Sequence, residues 1–398
     1  MDECKFGLVP TKGGMATVPS SRARKFASIV LLSLLCSYAL SFSSGCGNDA
    51  QSGGRGDSGF SEETVRRLDG AIAKQMREDD LPGVVLGVWV PGEGRYVVAR
   101  GKANLKTGEK RDLDDQFRIG SITKTFVATA ILQLIEEGKL SKTDKLSEWY
   151  PDFPDAEKIT VDDLLRMQSG IVDPPFEDII GDFTSPRETI EASANLGGAF
   201  LPPGQRTEYS NVNYVILGEI VSKVSGKDTG DRIAASILKP LDMKDTVYPT
   251  NNDLPGDLHG YTLDFSTGEL KEAPSLPLAP VGAAGAMISD VSDLKTWAEA
   301  VCTGELLETE TQKARLRTKP LSGASVPVQY GEGIMRVGKF CGHAGIQPGF
   351  SSAMWYLPQE DATIIVSANR EDPYDDPPPA EALATAVVKI VFPKYLEG

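Results

Sequence analysis

Hydrophobic and polar positions change their period along this chain, and the changes mark the predicted elements at its start. Apolar residues recur at helical spacing behind Ser61, so an amphipathic helix is expected from there to about Arg77. The next two segments, 84–90 and 96–103, are rich in β-branched and aromatic residues, and the turn-forming residues 91–94 separate them. The pattern therefore predicts a helix followed by a β-hairpin.

The middle of the chain has a helical pattern. Residues 122–137 are apolar on almost every side, which predicts a helix enclosed by the rest of the protein and ending at Gly138. Two further helices are expected at 161–167 and 211–225, the second of them closed by Gly226.

The β pattern returns near the end of the chain. After Ser289, which favours an N-cap, we expect a helix at 290–301 and later a final helix at 379–391. Strands are predicted between these two helices, at 333–337, 351–357 and 363–368. The last strand is a nearly continuous apolar run, typical of a strand buried on both faces.

Strand segments at both ends of the chain and helices between them predict an α+β fold. The sheet part would comprise about 61–120 and 280–398, and the helical part about 121–279. No repeat of 20–50 residues and no second linker divides 61–398, so we interpret it as one folded unit. An active cleft is expected where the sheet and the helical part meet.

Composition and charge narrow the range of functions. The chain has 398 residues, 40% hydrophobic and 24% charged, which is ordinary for a globular protein. Its net charge is −15, and because residues 1–45 are net basic, the remainder is more acidic still and not suited to nucleic acid. With two histidines and no C-x-x-C pair, a zinc site is not expected, and we predict no metal and no cofactor.

The first 60 residues resemble an export segment. Basic residues at 22–25 precede the mostly apolar run 27–40, which is too short to span a membrane, so 1–45 is predicted to be a signal peptide. Residues 42–46 resemble a lipobox in which Cys46 would be lipidated, and the alternative is an ordinary cleaved signal. The Gly- and Ser-rich segment 46–60 would form a flexible tether. We expect a lipoprotein on the outer face of the cell membrane, or alternatively a secreted protein.

Ser121 and Lys124 form the first candidate site, at the start of the enclosed helix. A spacing of three places both side chains on one helix face, and a serine hydroxyl needs an adjacent base to become a good nucleophile. Burial and the helix dipole would lower the pKa of Lys124 and make it that base. The same spacing occurs by chance at 236–239 and 292–295. Lys239 there precedes Pro240 at a helix end, and Lys295 lies on an amphipathic helix with charged neighbours, so both can be exposed. Lys124 lies on an apolar helix and needs a polar partner.

Two more motifs carry candidate residues. Tyr209 and Asn211 precede the helix at 211–225, and they suit proton transfer and hydrogen bonding to a substrate carbonyl, although packing and helix capping would also explain them. His343 lies among small residues that include Gly345, where a ligand can approach the backbone closely. A lone histidine is also compatible with a purely structural role.

Taken together, the three motifs resemble the serine beta-lactamase-related family, which includes class C beta-lactamases, D-alanyl-D-alanine carboxypeptidases and esterases of the same fold. The matching segments follow the family's order along the chain, at 117–151, 159–171, 203–227, 237–246, 283–297 and 342–358. The resemblance implies a mainly antiparallel sheet flanked by helices, with an inserted all-helical region.

The resemblance also implies roles for the candidate residues. Ser121 would be the acylated nucleophile, Lys124 and Tyr209 the general base and acid, and Asn211 would orient both lysine and substrate. Acyl transfer would then proceed in two steps through an acyl-enzyme, which water hydrolyses.

Further implied roles fall on the segment around His343. Its ring would replace the lysine of the K-[ST]-G strand and supply positive potential to a substrate carboxylate, and Gly345 would help to bind substrate. The backbone N–H groups of Ser121 and Ile346 would form the oxyanion hole. Ala344 departs from the family pattern, because its methyl group replaces a hydroxyl that would hold the carboxylate.

The function expected from this resemblance is that of an exported D-alanyl-D-alanine carboxypeptidase acting on peptidoglycan peptides. An esterase, a beta-lactamase and a penicillin-binding sensor without turnover remain open alternatives, so beta-lactams are possible ligands. Cys302 and Cys341 are the two cysteines of the folded part, and both a disulfide and two buried thiols are compatible with the sequence. The sequence leaves the oligomeric state open.

Overall fold

A computed structural model describes residues 59–181, 183–197, 202–264, 266–275, 277–324, 326–371 and 377–395. The predicted signal peptide, Cys46 and all but the end of the tether lie outside these residues. Among the described residues, no helix is long and apolar enough to cross a membrane.

The helices in chain order are α1 Glu62–Glu78, α2 Thr123–Glu136, α3 Val161–Leu165, α4 Phe176–Gly181, α5 Pro186–Asn195, α6 Asn211–Ser225, α7 Thr229–Ile233, α8 Val291–Thr303, α9 Thr309–Arg315 and α10 Pro379–Val391. The strands are β1 Gly83–Val90, β2 Gly94–Gly101, β3 Phe117–Arg118, β4 Tyr261–Asp264, β5 Glu269–Glu272, β6 Ile288–Ser289, β7 Lys319–Pro320, β8 Val328–Tyr330, β9 Met335–Val337, β10 Phe340–Gln347, β11 Phe350–Leu357, β12 Ala362–Ala368 and β13 Arg370–Glu371.

An eight-stranded sheet in the order β2-β1-β12-β11-β10-β9-β8-β7 forms the centre of the fold. Every neighbouring pair in it is antiparallel. Strand β12 is buried along its whole length, which confirms the expectation from its apolar run. Because β1 pairs with β12 through six residues, the sheet joins the two ends of the described chain.

Helices cover both faces of this sheet. On one face α1 and α10 pack against it through an apolar cluster that includes Leu68, Ile72, Leu383 and Val387. A second and larger cluster on the other face extends from α8 into the helical part, where α2 is enclosed as its apolar pattern predicts. The α+β fold is therefore confirmed, and the sheet and the helical part meet at the start of α2.

Several observed strands were not predicted from the sequence, among them the short strands β7 and β8 of the central sheet. The inserted region is not all-helical, because β4 and β5 form a hairpin within it, around a turn in which Gly268 adopts a φ of +74°. Periodicity also gave no strand at β10, because glycine, alanine and histidine interrupt its apolar pattern. Only the family resemblance pointed to a strand there.

The N-terminus of α8 also differs from the expectation. Asp290, not Ser289, caps this helix, and its carboxylate accepts from the Asp293 backbone N–H at 2.7 Å. The hydroxyl of Ser289 bonds the hydroxyl of Thr246 instead. Both residues are common N-caps, and the sequence alone does not choose between neighbours.

Candidate active site

Ser121 and Lys124 meet at the point where the sheet part joins the helical part. A short 3-10 turn, Gly120–Ile122, leads directly into α2 and places the two side chains on one face. The Lys124 Nζ lies 2.9 Å from the Ser121 Oγ. The sequence spacing therefore predicted this contact correctly.

Lys124 is fully buried, and three oxygen atoms surround its amine. Besides the Ser121 Oγ, the Nζ donates to the Asn211 Oδ1 at 2.9 Å and to the Ala284 carbonyl oxygen at 2.7 Å. Burial lowers the pKa of Lys124 to about 7, and the charge of Asp173 opposes this shift. A large fraction of the lysine is therefore neutral near pH 7 and able to accept a proton.

Tyr209 lies on the other side of this lysine. The Lys124 Nζ is 4.9 Å from the centre of the tyrosine ring. Burial raises the pKa of Tyr209 above its usual range, although its interaction with the Ser121 side chain acts in the opposite direction. Tyr209 therefore keeps its proton at neutral pH, which suits a proton donor rather than a phenolate base.

Asn211 is the first residue of α6, and its amide bridges two charged groups. Its Oδ1 accepts from Lys124, while its Nδ2 donates to the Asp173 carboxylate at 2.9 Å. Asp173 was not among the residues predicted from the sequence. It lies 38 residues before Asn211 in a loop, where no periodicity or motif pointed to it.

His343 lies in surroundings that disfavour a charge on its ring. Its ring is fully buried, with Nδ1 2.6 Å from the Ala344 carbonyl oxygen and Nε2 3.4 Å from the Tyr330 hydroxyl. Burial, together with the charge of Lys124, lowers the pKa of His343 to about 3. A ring with this pKa is neutral at physiological pH and would not supply the positive potential that the resemblance implies.

Glycines bring two distant backbone segments into direct contact beside Ser121. A Cβ on Gly345 would lie 2.0 Å from the Ile119 carbonyl oxygen, and a Cβ on Gly120 would lie 2.6 Å from the backbone nitrogen of Ile346. Gly120 also has a φ of +52°, in the region that favours glycine. The two segments that carry the expected oxyanion donors, Ser121 and Ile346, therefore touch. Gly345 permits this close approach because it has no Cβ.

A cavity of about 350 Å³ opens at Ser121 and Tyr209. Its described walls also include Ala344, Gly345 and Ile346, whose side chain is 42% exposed. Most of the remaining wall is apolar, formed by Leu321, Val326, Val328, Met335, Pro377 and Pro378. Glu381, in the first turn of α10, is the one charged side chain among the described lining residues.

Neither a second cavity nor a metal-binding cluster offers another candidate site among the described residues. A second cavity, of about 410 Å³ around Trp149 and Tyr150, contains none of the candidate residues. Among the described residues, no group of three or more His, Cys, Asp or Glu side chains could hold a metal ion.

The fold and the arrangement of Ser121, Lys124 and Tyr209 define the class of protein as a serine hydrolase. The family model described as Beta-lactamase matches residues 68–389, and the chain belongs to that family.

Known proteins similar to this chain agree with that assignment. It is 29% identical over 343 residues to protein flp of Staphylococcus aureus, covering 83% of this chain and 68% of flp. D-amino acid amidase from Ochrobactrum anthropi has a similar structure, with a TM-score of 0.73 and 26% identity over 84% of this chain and 99% of the amidase. The octameric penicillin-binding protein homologue from Pyrococcus abyssi has a TM-score of 0.71 and 27% identity, covering 82% and 77% of the two chains.

Proposed function

We propose that this protein hydrolyses amide or ester bonds through an acyl-enzyme on Ser121. The observation that carries the proposal is the contact between the Ser121 hydroxyl and Lys124, a buried amine whose pKa is lowered to about 7. Neutral Lys124 takes the hydroxyl proton while the Ser121 Oγ bonds to the substrate carbonyl carbon. Tyr209, which keeps its proton, is placed to protonate the leaving amine or alcohol and then regains a proton from Lys124.

Water completes the cycle in this scheme. It loses a proton to the Lys124–Tyr209 pair and attacks the ester of Ser121. The pair then returns that proton to the Ser121 Oγ as the acid is released, which restores the serine. The contact between the Gly120 and Ile346 backbones supports an oxyanion site formed by the N–H groups of Ser121 and Ile346. The scheme needs no metal and no cofactor.

For the substrate, we propose amides or esters of amino acids that carry a free ammonium group. Glu381 supports this choice, because it is the one charged side chain among the described cavity residues. Glu381 lines the same cavity as Ser121 and Tyr209. The similarity to D-amino acid amidase agrees with such a substrate.

A D-alanyl-D-alanine carboxypeptidase is the second candidate, as the sequence resemblance implies. Similarity to a penicillin-binding protein homologue supports it. The neutral ring of His343 and the methyl group of Ala344 support it less, because neither offers charge or a hydroxyl to a substrate carboxylate.

The charge of the substrate distinguishes these two candidates. We would compare kcat/KM for D-phenylalanine amide, its N-acetyl derivative and N-acylated D-alanyl-D-alanine, with the wild-type protein and the E381Q variant. Preference for the free amine that falls in E381Q supports the first candidate. Turnover of the D-alanyl-D-alanine peptide, unchanged in E381Q, supports the second.

A mass measurement tests the nucleophile separately from the substrate. We would record the intact mass after incubation with benzylpenicillin and with a fluorophosphonate probe, for the wild-type protein and the S121A variant. An adduct that is absent in S121A supports the scheme, and an adduct that persists in S121A contradicts it. A persistent penicillin adduct without turnover of any of the substrates would favour a sensor.

We further propose that the protein is exported and held at the outer face of the membrane by a lipid on Cys46. A disulfide between Cys302 and Cys341 supports an oxidising compartment. Peptidoglycan peptides would be accessible to the enzyme at that location. Fractionation of cells that express the wild-type protein or C46S tests the anchor, because only the wild type should remain with membranes.

A further inference from the structure

The Asp173 carboxylate is enclosed by hydrogen-bond donors at the start of α6. Its Oδ1 accepts from the Ser210 hydroxyl at 2.7 Å and from the Val212 backbone N–H at 3.1 Å. Its Oδ2 accepts from both the backbone N–H and the Nδ2 of Asn211, each at 2.9 Å. Both oxygen atoms therefore bind groups of the segment that contains Asn211.

These contacts replace an ordinary helix cap. Ser210 occupies the N-cap position of α6, but its side chain accepts no hydrogen bond from the first turn. Asp173 supplies the missing acceptor from a loop, and a carboxylate at this position also interacts favourably with the helix dipole. The position of Asn211 therefore depends on Asp173 as well as on its own helix.

The Asn211 amide has one orientation that satisfies both of its neighbours. The Asp173 carboxylate can only accept, so the amide must turn its NH₂ group toward it. The amide oxygen then faces Lys124, to whose amine it is bonded at 2.9 Å. The reverse orientation would place NH₂ against the ammonium group and an amide oxygen against a carboxylate.

The loop that carries Asp173 is held on both sides. The Ser193 hydroxyl of α5 donates to the Val172 carbonyl oxygen at 2.7 Å, and Pro174 and Pro175 restrict the backbone directly after Asp173. The Ser169 hydroxyl donates to the Asn213 Oδ1 at 2.5 Å, which joins the start of the loop to α6. The carboxylate therefore has a fixed position relative to Asn211.

We propose that Asp173 is a positioning residue of the Ser121–Lys124 site, which fixes the Asn211 amide so that its oxygen faces the Lys124 amine. The proposal rests on the acyl-transfer function proposed above. Asp173 does not touch the reacting atoms, and it acts through Asn211 and through its negative charge.

The charge of Asp173 provides a readout that a purely structural cap would not change. The titratable groups placed around Lys124 by the described residues are Asp173, Tyr209, Tyr214 and His343. The carboxylate of Asp173 acts to raise the pKa of Lys124. Removal of that charge should lower the pKa of Lys124 further. In a plot of the Ser121 reaction rate against pH, the fall in rate on the acidic side, called the acidic limb, should then move to lower pH.

The test measures, as a function of pH, the rate at which the fluorophosphonate probe phosphonylates Ser121 of the full-length protein and releases fluoride. In D173N we expect a rate at least tenfold lower at the optimum and an acidic limb displaced to lower pH. D178N provides the matched control, because Asp178 is an exposed acid five residues further along the chain in α4. Its rate and limb should equal those of the wild type.

A double-mutant cycle shows whether Asp173 acts through Asn211. In an N211A background the added D173N substitution should lower the rate much less than it does in the wild type. Thermal unfolding of each variant separates loss of folded protein from loss of rate, and D173E should recover part of the rate because it retains the charge. An unshifted limb in folded D173N, or fully additive effects with N211A, would overturn the proposal.

Different results would contradict the role of Asp173 and the proposed acyl-transfer function. If the wild type forms no adduct on Ser121 with either benzylpenicillin or the fluorophosphonate probe, the acyl-enzyme scheme fails. If the wild type reacts and D173N reacts equally fast with the same limb, only the role of Asp173 is wrong.

Discussion

The Cα of Gly345 lies directly against the Ile119 carbonyl oxygen, so closely that a Cβ at residue 345 would be 2.0 Å from that oxygen. Both atoms belong to backbone, and a backbone carbonyl has little freedom to move away. A methyl group at this position would therefore push β10 away from the segment that leads to Ser121.

The G345A variant should lose most of its activity, by about 100-fold or more, since a misplacement of about 1 Å at a catalytic group has such an effect. The measurement is kcat/KM on an activated ester, together with thermal unfolding. G70A is the matched control, because nothing lies within 4 Å of a Cβ on Gly70 in α1. Wild-type activity in G345A would show that the close contact is not needed.

The acylation rate should rise with pH and level off above about pH 7. Lys124 accepts a proton only when neutral, and burial lowers its pKa to about 7. The measurement is kcat/KM for a neutral ester from pH 5 to 9, with S121A as the blank. A midpoint near pH 10, where an ordinary lysine titrates, would contradict the assignment of Lys124 as the base.

The two histidines of the chain should titrate very differently. Burial lowers the pKa of His343 to about 3. The pKa of His259 is instead raised above the usual value by the hydrogen bond between His259 and Glu272. NMR of the imidazole protons should show one ring that titrates above pH 6.5 and one that is constant from pH 4.5 to 9. An H343Q variant identifies the constant signal, and two titrating rings would contradict the neutral His343.

The low pKa of His343 also makes part of the free energy of unfolding depend on pH. His343 is neutral when folded but takes up a proton below about pH 6.5 when unfolded. Its contribution is complete above that pH and is lost as the pH falls. The free energy of unfolding of H343Q should therefore decrease less between pH 7 and 5 than that of the wild type.

The Cys302–Cys341 disulfide should stabilise the fold by about 2–4 kcal/mol, because it closes a loop in the unfolded chain. It links the last turn of α8 to β10. The measurement is urea unfolding of the wild type and the C302S/C341S variant, with and without a thiol reductant. Reductant should destabilise only the wild type, and equal stability of the oxidised wild type and the variant would contradict the prediction.

A contact within the site could be predicted from the sequence only where its residues are close along the chain. Ser121 and Lys124 are three residues apart on one helix, so local geometry predicts their contact. Asp173 lies 38 residues from Asn211 in a loop, and only the folded chain brings them together.

The charge of His343 could not be predicted for a similar reason. It depends on burial and on Lys124, which lies far from His343 along the chain, in α2. The fold class was accessible because α2, β1 and β12 have strong apolar patterns. The β4–β5 hairpin and β10 were not, since their patterns are short or interrupted by small residues.

The three oxygen atoms around Lys124 differ in one respect. The Asn211 amide oxygen and the Ala284 carbonyl oxygen can only accept hydrogen bonds, whereas the Ser121 hydroxyl can also donate one. When Lys124 becomes neutral, its two remaining N–H groups stay with the two obligate acceptors. The nitrogen lone pair is then left with a single direction, toward Ser121. Deprotonation of Lys124 therefore reverses only the hydrogen bond to Ser121, in which the serine hydroxyl becomes the donor. Ser121 is also the residue that must lose its proton in the reaction.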